Sequence, residues 1–392
     1  MNFCGVICEF NPFHNGHDYL INQAKKQTGA DIVCLMSGNF VQRGTPAIID
    51  KYVRAKHAIL SGANAVLELP AIYATSNAEN FALGAIKIFK ALNIKQIAFG
   101  IENTNLEVLQ KVAKLKFENS VRFQTAFKNE IENGINYNTA LKRSIAKTLE
   151  NDKILEVLNK PNNILAIEYL TAILKLNAQI TPIAIERCDN GYNSLVSKNN
   201  YASASAIREL LYSNQKVDKL VPNFAKPEDV LTPAQSQIFD ALVIHSLRQK
   251  TTKNLESFYD YNEGIEYRIK EMSNKHKNLE DIKTAIATPR YRLQRVNKLL
   301  LYPLLNITKK VISLAQKTKP AVKVLAISKA NKTLLKFASK SKISLVVTNN
   351  DYNNLNKNQK LIFDIDQTAS NVYAVIKSQP NNLDRKKGTM FL

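Results

Sequence analysis

A short apolar run, Phe3-Cys4-Gly5-Val6-Ile7-Cys8, breaks into the polar string Glu9-Phe10-Asn11-Pro12-Phe13-His14-Asn15-Gly16-His17-Asp18 and then into an amphipathic stretch, Tyr19-Leu20-Ile21-Asn22-Gln23-Ala24-Lys25-Lys26, that stops near Gly29. Such a sequence constrains the chain to a buried strand handing over directly to a helix. The junction leaves free backbone N–H groups and the positive end of a helix dipole facing one point, which suits a phosphate. Pro12 stiffens the exit from the strand, and Gly16 leaves room for a ligand near the backbone. His14 and His17 are three apart and share a face at a helix start. Asn15 or Asp18 is the expected helix cap. Two surface histidines on a capped helix would show the same spacing. A zinc site lacks a further Cys or His at ligand distance in sequence.

The same alternation continues. Asp31–Met36, Ala65–Pro70 and Lys95–Gly100 read as strands, and Asp50–Leu60 and Asn77–Leu92 as helices. In the helix at 50–60, Ala55, Ala58 and Ile59 form the expected apolar side, with Lys51, Arg54 and Lys56 polar. This order predicts an α/β fold, a Rossmann-like parallel sheet with helices on both faces and a ligand site beyond the strands' carboxyl ends. The reading predicts a helical insertion over about 106–176 and a return strand at Ile180–Arg187. A helix then opens at Ala202–Arg208. Pro222 and Pro227 suggest a boundary, with residues 1–220 forming a nucleotide domain. Residues 221–392 are expected to form a basic, mainly helical domain, with strands at Val322–Ser328 and Ile343–Thr348 and a last helix over 354–375.

Charge separates these halves. The chain of 392 residues carries a formal net charge of +21, of which +15 falls in residues 221–392. Such an excess suits a polyanionic partner, although a Lys-rich composition also puts lysines on every solvated face. The sharpest basic string is Thr288-Pro289-Arg290-Tyr291-Arg292-Leu293-Gln294-Arg295-Val296-Asn297-Lys298. On a helix its Arg292, Arg295 and Lys298 would form roughly one face. No apolar run reaches membrane-spanning length and no charged leader precedes the first strand, so a cytoplasmic protein is expected. Cys4, Cys8, Cys34 and Cys188 form no C-x-x-C and read as reduced core residues. No motif assigns a bound metal or an obligate protein partner.

Three further strings fall at predicted strand or helix ends. Ser37-Gly38-Asn39-Phe40-Val41-Gln42-Arg43-Gly44 is a glycine-containing loop in which Ser37, Gly38, Asn39, Gln42 and Arg43 are candidates for holding substrate. Pro161-Asn162-Asn163 starts a helix, and its Asn pair can read a base or ribose or simply cap the helix. Arg187 ends a strand, before a turn at Asp189-Asn190-Gly191-Tyr192.

The string at 9–17 resembles the N-P-F/I-H-x-G-H signature of the HIGH-type nucleotidyltransferases. Ser203-Ala204-Ser205-Ala206-Ile207-Arg208 resembles their S-S-T-x-I-R signature, with Ala204 replacing the second Ser. With Met36–Ala47, Glu68-Leu69-Pro70, Phe99-Gly100, Pro161–Glu168 and Arg187–Tyr192 in one order, the chain is similar to the bacterial tRNA(Met) cytidine acetate ligase family, most densely through about residue 210. That resemblance implies ATP along Ile7 to Leu20, with Gly100, Asn163 or Asn162, Arg187, Ser205 and Arg208 as further contacts. It implies phosphate stabilisation by His14 and His17, and Mg²⁺ on the nucleotide. Acetate and elongator tRNA(Met) are the implied substrates, with N4 of the wobble cytidine acetylated through acetyl-adenylate. Arg290, Arg292, Arg295 and Lys298 are then expected to hold tRNA. An adenylyltransferase acting on a phosphorylated cofactor precursor, or a non-catalytic RNA-binding protein, are the competing readings. The first leaves the basic half unexplained, and the second leaves no reason for His14, Gly16 and His17.

Overall fold

The computed structural model of the chain describes residues 2–187, 200–330 and 333–392. Strand β1 (Phe3–Cys8) lies beside β2 (Asp31–Ser37), which is followed in the sheet by β3 (Ala65–Leu69). On the other side of β1 come β4 (Gln96–Ile101) and β5 (Thr181–Glu186). All of these pairs are parallel, as expected when helices connect the strands. Alternate residues face opposite layers. Val33 and Leu35 pack towards the helices Ala78–Ala91, Leu106–Glu118 and Pro161–Lys175, while Ile32, Cys34 and Met36 pack towards Asn15–Thr28 and Lys51–Leu60.

The C-terminal third returns to this sheet. β6 (Ala321–Ile327) pairs antiparallel with β3, and β7 (Ser344–Val346) and β8 (Met390–Phe391) both pair parallel with β6. One sheet therefore joins residues from both sides of the expected boundary near 221. The chain leaves the sheet for helices between Pro233 and Lys317, comes back to extend it, and ends with the helix Lys357–Ile376 and the short tail against it. This helical layer has its own core, including Val243, Leu247, Leu299 and Ile365, into which Phe40, Ala71 and Ile72 of the sheet half project.

Between β4 and β5 lie the helices Leu106–Glu118, Val121–Glu132, Tyr137–Thr148, Ile154–Val157 and Pro161–Lys175. Cys188 and the turn at 189–192 lie outside the described residues. Cys4, Cys8 and Cys34 are free and buried. Burial pushes the Cys4 thiol up to about 12 and raises Cys8 as well, which suits inert core residues. No helix among the described residues is long and apolar enough to cross a membrane.

Candidate active site

Strand order turns around at β1, whose neighbours β2 and β4 lead to opposite sides of the sheet. A crevice forms outside the carboxyl ends of strands at such a point. Here it is a cleft of about 310 Å³. Its walls come from the end of β1 (Ile7, Cys8, Glu9), the end of β4 (Gly100, Glu102) and the end of β5 (Glu186, Arg187).

The helix N-termini of Asn15–Thr28, Pro161–Lys175 and Ala204–Tyr212 supply Gly16, Asn162 and Ser203 to Ser205 to the same cleft. Aligned helix starts make this a site for negative charge. A larger open hollow of about 700 Å³ beside the helix Pro233–Gln249 contains none of the residues singled out in the sequence.

His14, not Asn15 or Asp18, caps the first helix. Its Nδ1 accepts from the Gly16 N–H at 3.0 Å, which assigns the proton to Nε2. A spacing of three places His17 over His14 with ring centroids 3.6 Å apart and planes 26° from parallel. Phe10 and Phe13 meet His17 at 4.9 and 5.7 Å between ring centroids, and so fix its ring. Burial depresses the His17 pKa well below the usual imidazole range, and His14 and Arg187 add to that effect. His17 is therefore neutral, and its buried Nδ1 has no hydrogen-bond partner.

Of the residues expected to meet ATP, Ile7, Cys8, Glu9, Phe10, Asn11, His14, Gly16, His17, Tyr19, Leu20, Gly100, Asn162, Arg187, Ser205 and Arg208 line this cleft. Pro12, Phe13, Asn15, Asp18 and Asn163 are outside its wall. Each has local reasons. Phe13 is buried in the core layer, and Pro12 before it is buried as well. Asn15 ties down the carbonyls of Asn200 and Lys219, both at 2.9 Å, and Asp18 accepts from Ser61 Oγ at 2.6 Å. Asn163 is buried, with its amide spent on the backbone N–H and carbonyl of Glu102 at 2.8 Å each. Its neighbour Asn162 faces the cleft instead and donates through its N–H and Nδ2 to Glu102 Oε1.

In the loop after β2, Gln42 and Arg43 line the cleft, whereas Ser37, Gly38 and Asn39 do not. Asn39 accepts from the Lys51 N–H at 2.9 Å at the start of the helix Lys51–Leu60. A Cβ on Gly38 would sit 2.1 Å from Glu68 Oε1, so a side chain there would push on the carboxylate that holds Lys51. Glu9 Oε1 accepts from the Gln42 N–H at 2.7 Å and thereby docks the loop onto the histidine string. Arg208 Nη1 reaches the Asn11 carbonyl at 2.6 Å and Nη2 reaches Ser205 Oγ at 2.9 Å, which joins the second string to the first.

The profile of the HIGH Nucleotidyl Transferase family matches residues 1–388. A tRNA(Met) cytidine acetate ligase of Thermoanaerobacter sp. (strain X514) is 35% identical over 386 residues, covering 96% of this chain and 95% of its own length. That of Thermosipho africanus is 32% identical and covers 100% of this chain and 98% of its own. The chain belongs to the tRNA(Met) cytidine acetate ligase family. The crystal structure of apo Thermotoga maritima TmcAL superposes with a TM-score of 0.90 at 26% identity over all of both chains. The form bound with alpha-thio ATP gives 0.89 at 25% identity, again over all of both chains.

Against this family background, the basic string differs from its sequence reading. The helix begins at Leu293, so only Arg295 and Lys298 are on it, and Arg292 is its N-cap residue. Arg290 pairs with Glu263. Arg295 makes a bidentate pair with Asp260 at 2.7 and 2.8 Å and lies 4.8 Å over the Tyr291 ring, which is itself buried. Lys298 Nζ donates to the Ser76 carbonyl at 2.8 Å. Burial pushes Lys298 down to about 8, against Glu9 and Asp260.

Sequence reasoning missed the supports behind the cleft. Arg54, expected on a polar side, is wholly buried and donates to the carbonyls of Ile49 at 2.8 Å, Glu9 at 2.6 Å and Ser37 at 3.0 Å. Lys51 is equally buried and contacts Glu68 at 2.7 Å and Asp384 at 2.9 Å. Burial works to lower the Lys51 pKa, but Asp384 and Glu68 outweigh it and hold the ammonium charged. The signal was present: Lys51 and Arg54 each lie four residues before an apolar alanine, Ala55 and Ala58, and so share their faces.

Proposed function

We propose that the protein is an ATP-dependent, AMP-forming acetate ligase that acetylates N4 of the wobble cytidine of elongator tRNA(Met). The observation that carries this reading is the stacked His14–His17 pair at a helix N-terminus inside the cleft at the sheet's turning point. Its support is the near full-length likeness to ligases of that name and to a relative solved with an ATP analogue.

In the first step a carboxylate oxygen of acetate attacks the α-phosphorus of ATP, the bond to the bridging oxygen breaks, and pyrophosphate leaves. Acetate is already anionic, so this step needs no general base. It needs in-line positioning and stabilisation of charge on the phosphoryl oxygens. The Nε2–H of His14 and a ring N–H of His17 are suited to donate there, together with the backbone N–H groups of the helix starts. A neutral His17 avoids a fixed cation in an apolar seat while the cleft is empty. Arg187 and Arg43 would add charge at the cleft wall.

In the second step the N4 amine attacks the acetyl carbonyl carbon, AMP leaves with the bonding electrons, and the amine loses one proton. Among the described residues no group of three or more His, Cys, Asp or Glu converges to hold a metal. The triphosphate itself would carry the Mg²⁺, which would add positive charge against the phosphoryl oxygens. A tRNA substrate places the reaction in the cytoplasm.

The test is incubation with ATP, radiolabelled acetate and elongator tRNA(Met) transcript. Label entering the RNA, with pyrophosphate formed in step, is expected. Pyrophosphate release only with a phosphorylated small molecule, or RNA binding without turnover, would defeat the reading.

A further inference from the structure

The helical insertion between β4 and β5 presents a cationic edge whose charges are left over. Lys142 on the helix Tyr137–Thr148 hydrogen-bonds to Asn159 Oδ1 at 2.6 Å, and Arg292 reaches Asn136 Oδ1 at 3.3 Å. Both partners are neutral amides. Among the described residues neither cation has a carboxylate at ion-pair distance. Their sequence neighbours do, since Arg143 pairs with Glu130 at 3.5 Å and Arg290 with Glu263. Lys142 and Arg292 come from elements far apart in the chain, and burial followed by the Arg292 charge depresses the Lys142 pKa. Two like charges brought together without a counter-ion form a place where an anion relieves repulsion.

This edge is joined to the cleft on two sides. Asn159 is three residues before Asn162, which lines the cleft. Arg292 caps the helix Leu293–Leu305, and the backbone of that helix at Asn297 and Lys298 abuts Gly44, next to Arg43 of the cleft wall. Tyr137 follows Asn136 at the start of the same helix, 62% exposed and held edge-on by Phe127 with ring centroids 5.2 Å apart. A held, exposed aromatic ring next in the chain to the amide that Arg292 reaches suits stacking on a base while the cations neutralise phosphates.

We propose that the insertion is half of the RNA-binding surface: Lys142 and Arg292 grip backbone phosphates of the tRNA anticodon arm from opposite sides, and Tyr137 stacks on an unpaired base. This rests on the functional reading above and adds to it a surface and a role for the insertion.

The test is Lys142→Glu and Arg292→Glu in the full chain, singly and together, with Lys142→Gln and Arg292→Lys as milder variants. Each reversal should raise the KM for tRNA by about tenfold with kcat at saturating tRNA kept. Each should also reduce the slope of log affinity against log salt by about 0.7–0.9, the amount for one phosphate contact. Arg292→Lys should restore the slope. Tyr137→Ala should weaken tRNA binding with the slope unchanged. A melting temperature equal to wild type excludes misfolding, and Lys142→Gln carries the test if a reversal does not fold. Wild-type affinity and slope in the Lys142 variants, with acetylation by the wild type intact, would overturn the inference alone. Failure of the wild type to engage tRNA would remove it together with the functional reading.

Discussion

The two strings that stand out in the sequence, at 9–18 and 288–298, end in opposite situations. In the first, His14 and His17 meet in an anion-ready cleft and one of them keeps an unpartnered nitrogen. In the second, Arg290, Arg295 and Lys298 are spent on Glu263, Asp260 and Ser76 of their own chain. The first string works through backbone geometry, since a strand end, a cap and a spacing of three residues fix where the rings go. The second consists of long side chains whose partners are chosen by tertiary packing. A basic string is thus weaker testimony about a partner than a short string at a βα junction.

The largest expected effect lies where the sheet half that carries the first string is tied to the C-terminal tail. Lys51 beneath the loop after β2 is held by Glu68 of β3 and by Asp384 of the C-terminal tail. Lys51→Ala would leave Glu68 buried without its ammonium and Asp384 with Lys323 alone, a loss of about 3–5 kcal/mol. Urea unfolding followed by two probes is expected to show that loss as one shared transition. A change under about 1 kcal/mol would mean that the sheet half and the C-terminal tail are energetically separate.

Next comes the cleft itself. His14→Ala and His17→Ala should each lower acetate-dependent pyrophosphate formation by about 10²–10³, the usual cost of one oxyanion donor. Affinity for tRNA should stay near wild type, because neither ring belongs to the basic edge. A loss of tRNA affinity matching the loss of rate would erase the division of labour between the strings.

How much was legible follows the same line. The parallel sheet, the cleft at the ends of β1, β4 and β5, and the placing of both histidines were readable because strand–helix alternation and short spacings are local properties. Lys51 and Arg54 were misplaced because lysine and arginine normally mark a solvated face, and here they serve buried carboxylates and carbonyls supplied by distant segments. Asn162 and Asn163 show the limit within one helix start: adjacent residues point about 100° apart, so Asn162 faces the cleft and bonds the Glu102 carboxylate, while Asn163 is buried and braces the Glu102 backbone. The return of β6 to the sheet was invisible because antiparallel pairing with β3 joins residues more than 250 positions apart.

A pH experiment separates the cleft from the rest at smaller cost. His57 packs edge-on to Phe13, centroid to centroid 6.3 Å, with its Nδ1 unpartnered. Burial pushes its pKa down to about 4, with Lys56 and Arg54 adding to this and Glu228 opposing it. The folded state therefore holds His57 neutral while the unfolded chain takes up a proton near pH 6.5. Stability is complete above that value and declines as pH falls towards 4, by an amount on the order of 2–3 kcal/mol. His57→Phe should flatten this part of the stability profile in urea titrations between pH 7 and 4. An unchanged profile would place the acid sensitivity in His17, whose depressed pKa acts in the same direction.

The smallest effect tests the basic string directly. Arg295 has a third of its side chain exposed, so its bidentate pair with Asp260 contributes only about 0.2–1 kcal/mol. Arg295→Ala should lower the melting temperature slightly, and it should leave the salt dependence of tRNA binding as it is in the wild type. Arg292→Ala, one turn earlier, should do the reverse: little change in melting temperature and a shallower salt slope. The pair differ in one respect that matters here, since Arg295 already has its carboxylate and Arg292 has only an amide. Equal effects of the two substitutions on RNA binding would show that an internal ion pair does not withdraw a cation from a polyanion, and the contrast between the strings would then reduce to their distance from the cleft.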